Sequence, residues 1–260
     1  MKIAFLSDIH ANRPALQAVL ESIDAHRPDQ IYCLGDLVGY APWPNEVVET
    51  IRRRNIPSIA GNYDEGVGDN SDDCGCAYQT EIQERRGVAS ITYTNELIAA
   101  DHRRWLRTLP RHLRLQLGKE ADYSMLMVHG SPRRINEYLF EDRPARSIQR
   151  LMARSEADIM LFGHTHKPYH RVIEEESDEG QTRIRHAINT GSVGKPKDGD
   201  PRACWVLVEV SEEPDALDPK SIDVNFIRVS YDVEEAARGV EESPLPDAFA
   251  EMLRTGGKSE

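Results

Sequence analysis

The feature that most constrains this chain is a recurring texture: short apolar runs, each ending at its C-terminal side in a residue able to hold a metal. Lys2 to Ser7 leads to Asp8 and His10, Gln30 to Leu34 leads to Asp36, and Pro57 to Ala60 leads to Asn62. Ser124 to Val128 leads to His129, and Asp158 to Phe162 leads to His164 and His166. Each run is four to six residues long and rich in Ile, Leu, Val and Met, as expected of strands buried on both faces of a sheet. Leu16, Val19, Leu20 and Ile23 follow the first run at helical spacing, behind Asn12 and Pro14, which suit a helix start. The result is a βαβ unit. Helical patterns also cover Pro44 to Arg54, Glu81 to Asn95 and Arg143 to Ser155. Open α/β sheets carry their ligands at the carboxyl ends of the strands, where all of these polar residues fall. The reading therefore places them at strand ends in one sheet.

Beyond residue 168 the pattern changes to alternating strands over His170 to Glu174, Arg183 to Asn189, Ala203 to Val210 and Ile222 to Ser230, which suit a second, more antiparallel sheet. The acidic stretch Glu174 to Gly180 reads as a solvated hairpin tip. The tail from Glu234 reads as helical, fraying at Gly256-Gly257. With no linker or internal repeat, we expect a single domain over residues 1–260, with a core to 232 and a helical tail over 233–260.

The ligand-type residues argue for metal on their own. Asp8-x-His10 and His164-x-His166 each place two ligand side chains two apart at a strand end. Gly35, Gly61 and Gly130 adjoin Asp36, Asn62 and His129 and let the backbone approach an ion closely. Imidazole and carboxylate together suit Mn, Fe, Zn, Co or Ni, and seven such groups exceed what one ion needs. A lone histidine is more often structural than a ligand, but the coincidence of the whole set is hard to maintain as packing.

Ser7-Asp-Ile-His10, Gly35-Asp36, Gly61-Asn-Tyr-Asp64, His129-Gly130 and Gly163-His-Thr-His166 match, in order, the motifs of calcineurin-like metallophosphoesterases, which the chain resembles from residue 1 to about 200. His10-Ala-Asn12 and Asn189-Thr-Gly-Ser-Val-Gly194, with Asp198-Gly-Asp-Pro201 behind it, look like the small bacterial and archaeal phosphodiesterase branch. The resemblance implies a four-layer α/β/β/α sandwich of two mixed sheets with the metal pair at one edge of them. It implies that Asp8, His10 and His166 bind one divalent ion, that Asn62, His129 and His164 bind the other, and that Asp36 bridges them, manganese being the first choice. Asp36, Asn62, Tyr63 and His129 then form the catalytic set. Two divalent ions about 3.5–4 Å apart clamp a phosphate and bring a bridging water near neutrality, and the resulting hydroxide attacks phosphorus in line without a covalent enzyme intermediate.

Tyr63 stands where many members carry a histidine thought to protonate the leaving oxygen. A phenol of pKa near 10 is a feebler acid than imidazolium, so we expect good leaving groups, phosphodiesters before monoesters, or another proton source. Arg133 and Arg134 follow His129 and are candidates for pairing with phosphate oxygens. Asn12 is a candidate substrate contact, and capping the following helix explains it equally well. The insert from Gly66 to Thr80 carries Cys74-Gly75-Cys76; two cysteines do not complete a tetrahedral zinc site, and a lid or a dimer contact is the expectation for this segment. Arg103 to Arg114 reads as a solvated amphipathic face.

Composition narrows the partners. A net charge of −12 argues against broad binding to nucleic acid backbones, and no apolar run approaches the roughly 20 residues that cross a bilayer. No leader is visible, and Cys33 and Cys204 sit inside apolar runs, so a cytoplasmic protein is expected. The substrate is a small phosphoester, with nucleotides among the candidates, and a homodimer is the default assembly. The rival readings are a phosphomonoesterase acting on nucleotides or phosphoproteins, a metal-dependent nuclease, and a protein-binding scaffold that has kept the fold without its catalysis; the full set of competent ligands argues against the last.

Overall fold

The computed structural model describes residues 1–120, 122–176 and 181–258. β1 (Lys2–Leu6) runs into α1 (Arg13–His26), which returns to β2 (Gln30–Cys33) parallel to β1, with Ile3 opposite Gln30 and Leu6 opposite Cys33. α1 starts where Asn12 Oδ1 accepts the amide of Ala15 at 3.1 Å with Pro14 in the first turn, and it buries Leu16, Val19, Leu20 and Ile23. α2 (Pro44–Arg53) follows, burying Val47, Val48 and Ile51. The third apolar run contributes only a bridge between Cys33 and Ser58 and then enters α3 (Asn62–Gly68). α4 (Glu81–Leu97) and α5 (Ala100–Leu106) precede the antiparallel pair β3 (His112–Leu117) and β4 (Tyr123–Val128). α6 (Ala145–Arg154) and β5 (Ile159–Phe162) come next, then the hairpin of β6 (Tyr169–Glu176) and β7 (Thr182–Asn189). β8 (Ala203–Val210) and β9 (Ile222–Val229) pair antiparallel, and α7 (Val233–Glu241) and α8 (Ala248–Thr255) close the chain.

The strands form two mixed sheets, one in the order β2-β1-β8-β9 and one in the order β3-β4-β5-β7-β6. Strand alternation explains the layers, because successive side chains leave opposite faces. Ile3 and Phe5 of β1 and Val206 and Val208 of β8 pack against Met125, Met127, Leu161 and Ile188 of the other sheet. Ala4 and Leu6 point the other way, into α1 and α2. Leu126, Val128, Met160 and Phe162 face Ile148, Leu151 and Met152 of α6. Helix, sheet, sheet and helix are thus four layers, with apolar side chains on both faces of the central strands.

Two expectations are corrected. The late strands do not build a sheet of their own: β6 and β7 join β3, β4 and β5, while β8 inserts beside β1, with Lys2 opposite Glu209 and Phe5 opposite Val206. The strand ends that carry ligands therefore belong to two sheets, and local periodicity carries no information about such distant pairing. The chain does not fray at Gly256-Gly257. α7 and α8 bury Ala236, Ala237, Val240, Phe249 and Leu253 in a cluster with Ala11 and Ala41, and Gly256 O accepts the Gly199 amide at 2.8 Å. The arginine-rich stretch, divided between α5 and β3, is the expected solvated amphipathic face, with Arg104, Arg107, Arg111 and Arg114 exposed and Leu106 buried; Arg111 pairs with Glu65, and Arg103 donates to Asn95. Of the acidic stretch, Glu174 to Glu176 belong to β6, and the expected hairpin tip over 177–180 lies outside the described residues.

Candidate metal centre

The turns after β1, β2, β4 and β5 and the first residue of α3 deliver the seven expected ligands to one place. Every one of them is buried, with 3% or less of its surface exposed. Asp8, His10 and His166 offer ligand atoms within 4.8 Å of one another, and Asp36, His129 and His164 form a second such group. Asp8, His10, Asp36, His164 and His166 hold φ between 48° and 64°, a left-handed conformation that L residues adopt rarely and at a cost of about 1–2 kcal/mol. Five such residues in one cluster show that the strand ends are bent sharply to aim side chains inward. Gly61 is required here by close approach, since a Cβ on it would stand 2.7 Å from Asp36 Cγ.

Hydrogen bonds cross between the sheets at the site and fix which atoms remain free. His129 Nδ1 lies 2.7 Å from Leu34 O, His10 Nδ1 3.0 Å from Val38 O and His166 Nδ1 2.5 Å from Lys195 O. A carbonyl only accepts, so each Nδ1 carries the proton and each Nε2 presents its lone pair, or a second proton, to the centre. Asp8 Oδ2 accepts the Ser7 hydroxyl and the His164 amide, the latter at 3.1 Å, which leaves Oδ1 for the interior. Asp36 Oδ1 accepts the Tyr63 amide at 2.9 Å, and Oδ2 stands 3.3 Å from His129 Nε2 and 3.6 Å from His10 Nε2, between the two groups. Asn62 Nδ2 donates to Cys74 O at 3.0 Å and to Cys76 Sγ at 3.3 Å, which leaves its Oδ1 unused.

The charge state follows from this packing. Burial lowers His10 and His164 to about 3 and takes His166 well below its ordinary value, so these rings are neutral donors. His129 differs: burial alone would lower it, but the Asp36 carboxylate outweighs burial and raises it to about 10. Asp36 is held below the usual carboxylate range, burial being overcome chiefly by His129. His10 Nε2 and His166 Nε2 face each other at 3.2 Å, a repulsive contact between two neutral lone pairs unless a cation lies against both.

Buried polar atoms in folded proteins are almost always paired. Among the described residues, the unpaired buried atoms include Asp8 Oδ1, Asn62 Oδ1, His129 Nε2, His164 Nε2 and the Tyr63 hydroxyl. Four of the seven such atoms belong to the expected ligand set. Their nitrogen and oxygen chemistry fits divalent transition ions.

A cavity of about 470 Å³ opens over His10, Asp36, His164 and His166. Tyr63 lines it, and burial raises the phenol well above 10, further from an acid working at neutral pH. Arg133 and Arg134 are not brought into this cavity. They line a separate one of about 260 Å³, and Arg133 is tied to Glu137. Asn12 is fully buried and engaged by the protein: besides capping α1, its Nδ2 donates to Gly194 O at 3.0 Å and to the Tyr231 hydroxyl at 3.3 Å. Sequence reasoning did not assign Cys76, Tyr138, Lys195 or Lys197 to the site, yet all four line the cavity. The signal present for the lysines was Lys195-Pro-Lys197 directly after the Gly191 to Gly194 loop.

Comparison with known proteins agrees with this geometry. A family model described as the calcineurin-like phosphoesterase superfamily domain matches residues 1–213. The chain is 34% identical to the uncharacterized protein MJ0912 of Methanocaldococcus jannaschii over 98% of both chains. Among solved structures, a metallophosphoesterase from Sphaerobacter thermophilus is 32% identical with a TM-score of 0.70, over 98% of this chain and 99% of that one. The hypothetical protein PH1004 from Pyrococcus horikoshii OT3 is 25% identical with a TM-score of 0.77, over 100% of this chain and 99% of that one. With its two mixed sheets and its two groups of metal-ligating side chains, this chain belongs to the calcineurin-like phosphoesterase superfamily.

Proposed function

We propose that the chain hydrolyses phosphate esters, phosphodiesters foremost, at a centre of two divalent metal ions. The observation that carries this reading is the cluster of unpaired buried donor atoms on Asp8, Asn62, His129 and His164, set within two ligand groups that meet at Asp36. Asp8, His10 and His166 would hold one ion and Asn62, His129 and His164 the other, with Asp36 available to both. When bound, the ions supply positive charge for the phosphate and lower the pKa of water.

The protein contributes positioning and proton control. Carbonyl oxygens of Leu34, Val38 and Lys195 lock three imidazoles in the Nδ1–H form, so only Nε2 is offered inward. His129 Nε2, 3.3 Å from Asp36 Oδ2, would have to give up its proton to serve as a ligand, since ligand nitrogens coordinate in the neutral form. The Tyr63 phenol keeps its proton at neutral pH, because burial raises it well above its ordinary value. Leaving groups that depart as stable anions are then favoured, which supports diesters of acidic alcohols over alkyl monoesters. Imidazole and carboxylate accept several metals, and manganese is the one we would supply first. Four free cysteines accord with a reducing, cytoplasmic setting, and among the described residues no helix is long and apolar enough to cross a membrane.

The experiment is hydrolysis of bis-p-nitrophenyl phosphate against p-nitrophenyl phosphate by metal-stripped protein resupplied with Mn²⁺, with His164→Ala as control. Metal-dependent turnover that favours the diester and disappears in the control supports the reading. Turnover that favours the monoester makes this a phosphomonoesterase, and no turnover with Mn²⁺, Ni²⁺, Co²⁺ or Zn²⁺ sinks the hydrolase.

A further inference from the structure

The insert that follows α3 carries a motif that the phosphoesterase reading leaves unused, Cys74-Gly75-Cys76. Both cysteines are free thiols, and their sulfur atoms lie 3.4 Å apart. The turn that brings them together is held from outside. The Gly75 amide donates to Asp73 Oδ1 at 2.8 Å, and the Gly75 carbonyl accepts from Asn136 Nδ2 at 2.7 Å. Gly75 takes φ +69°, a left-handed conformation that glycine adopts without steric cost.

The two thiols differ in access. Cys76 is half-buried and lines the cavity over the candidate metal ligands, whereas Cys74 is 6% exposed and has the Tyr78 hydroxyl 3.9 Å from its sulfur. An oxidant small enough to enter the cavity therefore meets Cys76 first, with a second thiol in direct contact with it. An accessible thiol beside a resolving one is the arrangement in which oxidation ends at a disulfide rather than at higher acids of sulfur. Cys33 and Cys204 are fully buried inside β2 and β8 and offer no such access.

The same turn holds Asn62. Its Nδ2 donates to Cys74 O at 3.0 Å and to Cys76 Sγ at 3.3 Å, and its Oδ1 is left without a protein partner. Closing a disulfide brings the sulfurs from 3.4 Å to about 2.0 Å. The peptide group between Cys74 and Gly75 lies within the ring so formed, so Cys74 O turns as the ring closes, and Cys76 Sγ moves toward Cys74. Asn62 then loses both acceptors at once. A ring that spans a single residue departs from relaxed disulfide geometry, which makes the bond easy to reduce. Transient, redox-sensing disulfides are the kind found in a reducing compartment.

We propose that Cys74 and Cys76 form a site of reversible oxidation, a dithiol that hydrogen peroxide converts to a disulfide and that thereby withdraws Asn62 from the second metal group. The withdrawal rests on the reading of Asn62 as a ligand. In the first step the Cys76 sulfur bonds to one peroxide oxygen and the O–O bond breaks. The departing oxygen takes the thiol proton and leaves as water, and Cys76 becomes a sulfenic acid. In the second step the Cys74 sulfur bonds to the Cys76 sulfur, the S–O bond breaks, and the hydroxide takes the Cys74 proton and leaves as water. The two sulfurs give up two electrons, which the peroxide accepts.

The test treats the full chain, stripped of metal, with hydrogen peroxide and then removes the oxidant. The intact mass should fall by two hydrogens and the free thiols from four to two, and peptide mapping should place the link between Cys74 and Cys76. Calorimetric titration with Mn²⁺ should then show the affinity for the second ion lowered by about 10–100-fold and that for the first unchanged. Dithiothreitol should restore both mass and affinity. In Cys74→Ser the link cannot form. Diamide, which takes paired thiols directly to a disulfide, should leave the Mn²⁺ affinity of this variant where it was while lowering that of wild type. Oxidation that stops on Cys76 without a link, a link between two molecules, or a disulfide that leaves both Mn²⁺ affinities unchanged overturns the proposal. Failure of the metal reading looks different: neither the reduced nor the oxidised protein binds Mn²⁺, which overturns the withdrawal of Asn62, while the mass and thiol count still decide the oxidation site.

Discussion

The side-chain amide of Asn62 donates to the carbonyl oxygen of Cys74 at 3.0 Å, and this bond leaves Asn62 Oδ1 buried with no protein partner. The insert that carries Cys74 thus orients a residue of the candidate metal centre. Gly75, at φ +69°, is the hinge of that contact, and its carbonyl accepts from Asn136 Nδ2 at 2.7 Å. A Cβ on Gly75 would lie 2.8 Å from Asn136 Nδ2. Gly75→Val should therefore shift the loop and weaken binding of the second metal by about 10–100-fold, the usual effect of losing a partner of a metal ligand, while the first metal stays bound. Metal content after dialysis and calorimetric titration check this. Two metals bound with unchanged affinity would show that Asn62 is held without the loop.

His10 and His166 set their Nε2 atoms 3.2 Å apart, a contact between two neutral imidazoles that a cation lying against both would relieve. Mn²⁺ at 100 times its dissociation constant should stabilise the fold by about 2.7 kcal/mol. That corresponds to a rise in Tm of about 5–10 °C for a chain of this size. His10→Ala removes the repulsion and one ligand together. Its metal-free Tm should equal or exceed that of the metal-free wild type, and most of the metal-induced rise should vanish. Thermal melts with and without a chelator measure both quantities, and a variant that kept the full rise would remove His10 from the ligand set.

Away from the metal centre, His186 is 2% exposed and its Nδ1 lies 3.0 Å from His170 Nε2, with Asp223 acting on His170. Burial, then His170, lowers His186 from 6.5 to about 4. The unfolded chain binds the proton more readily, so the contribution of neutral His186 is complete above pH 6.5 and is lost as pH falls toward 4. At about 1.4 kcal/mol per pH unit, wild type should lose roughly 3 kcal/mol more than His186→Leu between pH 7 and pH 4. Urea denaturation of both proteins at three pH values gives the difference, and parallel pH profiles would contradict it.

Phe249 of α8 is 3% exposed, packs its ring 5.1 Å from Tyr40 and lines the metal cavity. Phe249→Ala should cost about 3–5 kcal/mol, read as a lower urea midpoint with an unchanged slope. A cost under about 1 kcal/mol would mean that the C-terminal helices are dispensable to the fold.

The sequence by itself determined the local pieces and the candidate ligands at their ends. Strand ends at Asp8, Asp36, His129 and His164 were legible because a buried strand must be apolar, so the charged or imidazole residue that ends it stands out. α1 was legible from Asn12, Pro14 and the spacing of Leu16 to Ile23, because capping and helical periodicity act within a few residues. What only the tertiary structure decided depends on residues far apart in the chain. Period-two alternation in Ala203 to Val210 shows a strand with two faces but not that Val208 lies opposite Ile3, and so not which sheet it joins. The same distance hid the surroundings of the metal centre, where Cys74 reaches Asn62, Lys195 reaches His166 and Phe249 reaches Tyr40. None of these contacts has a signature in spacing, because each is selected by the packing of separate elements around one buried cluster of charge.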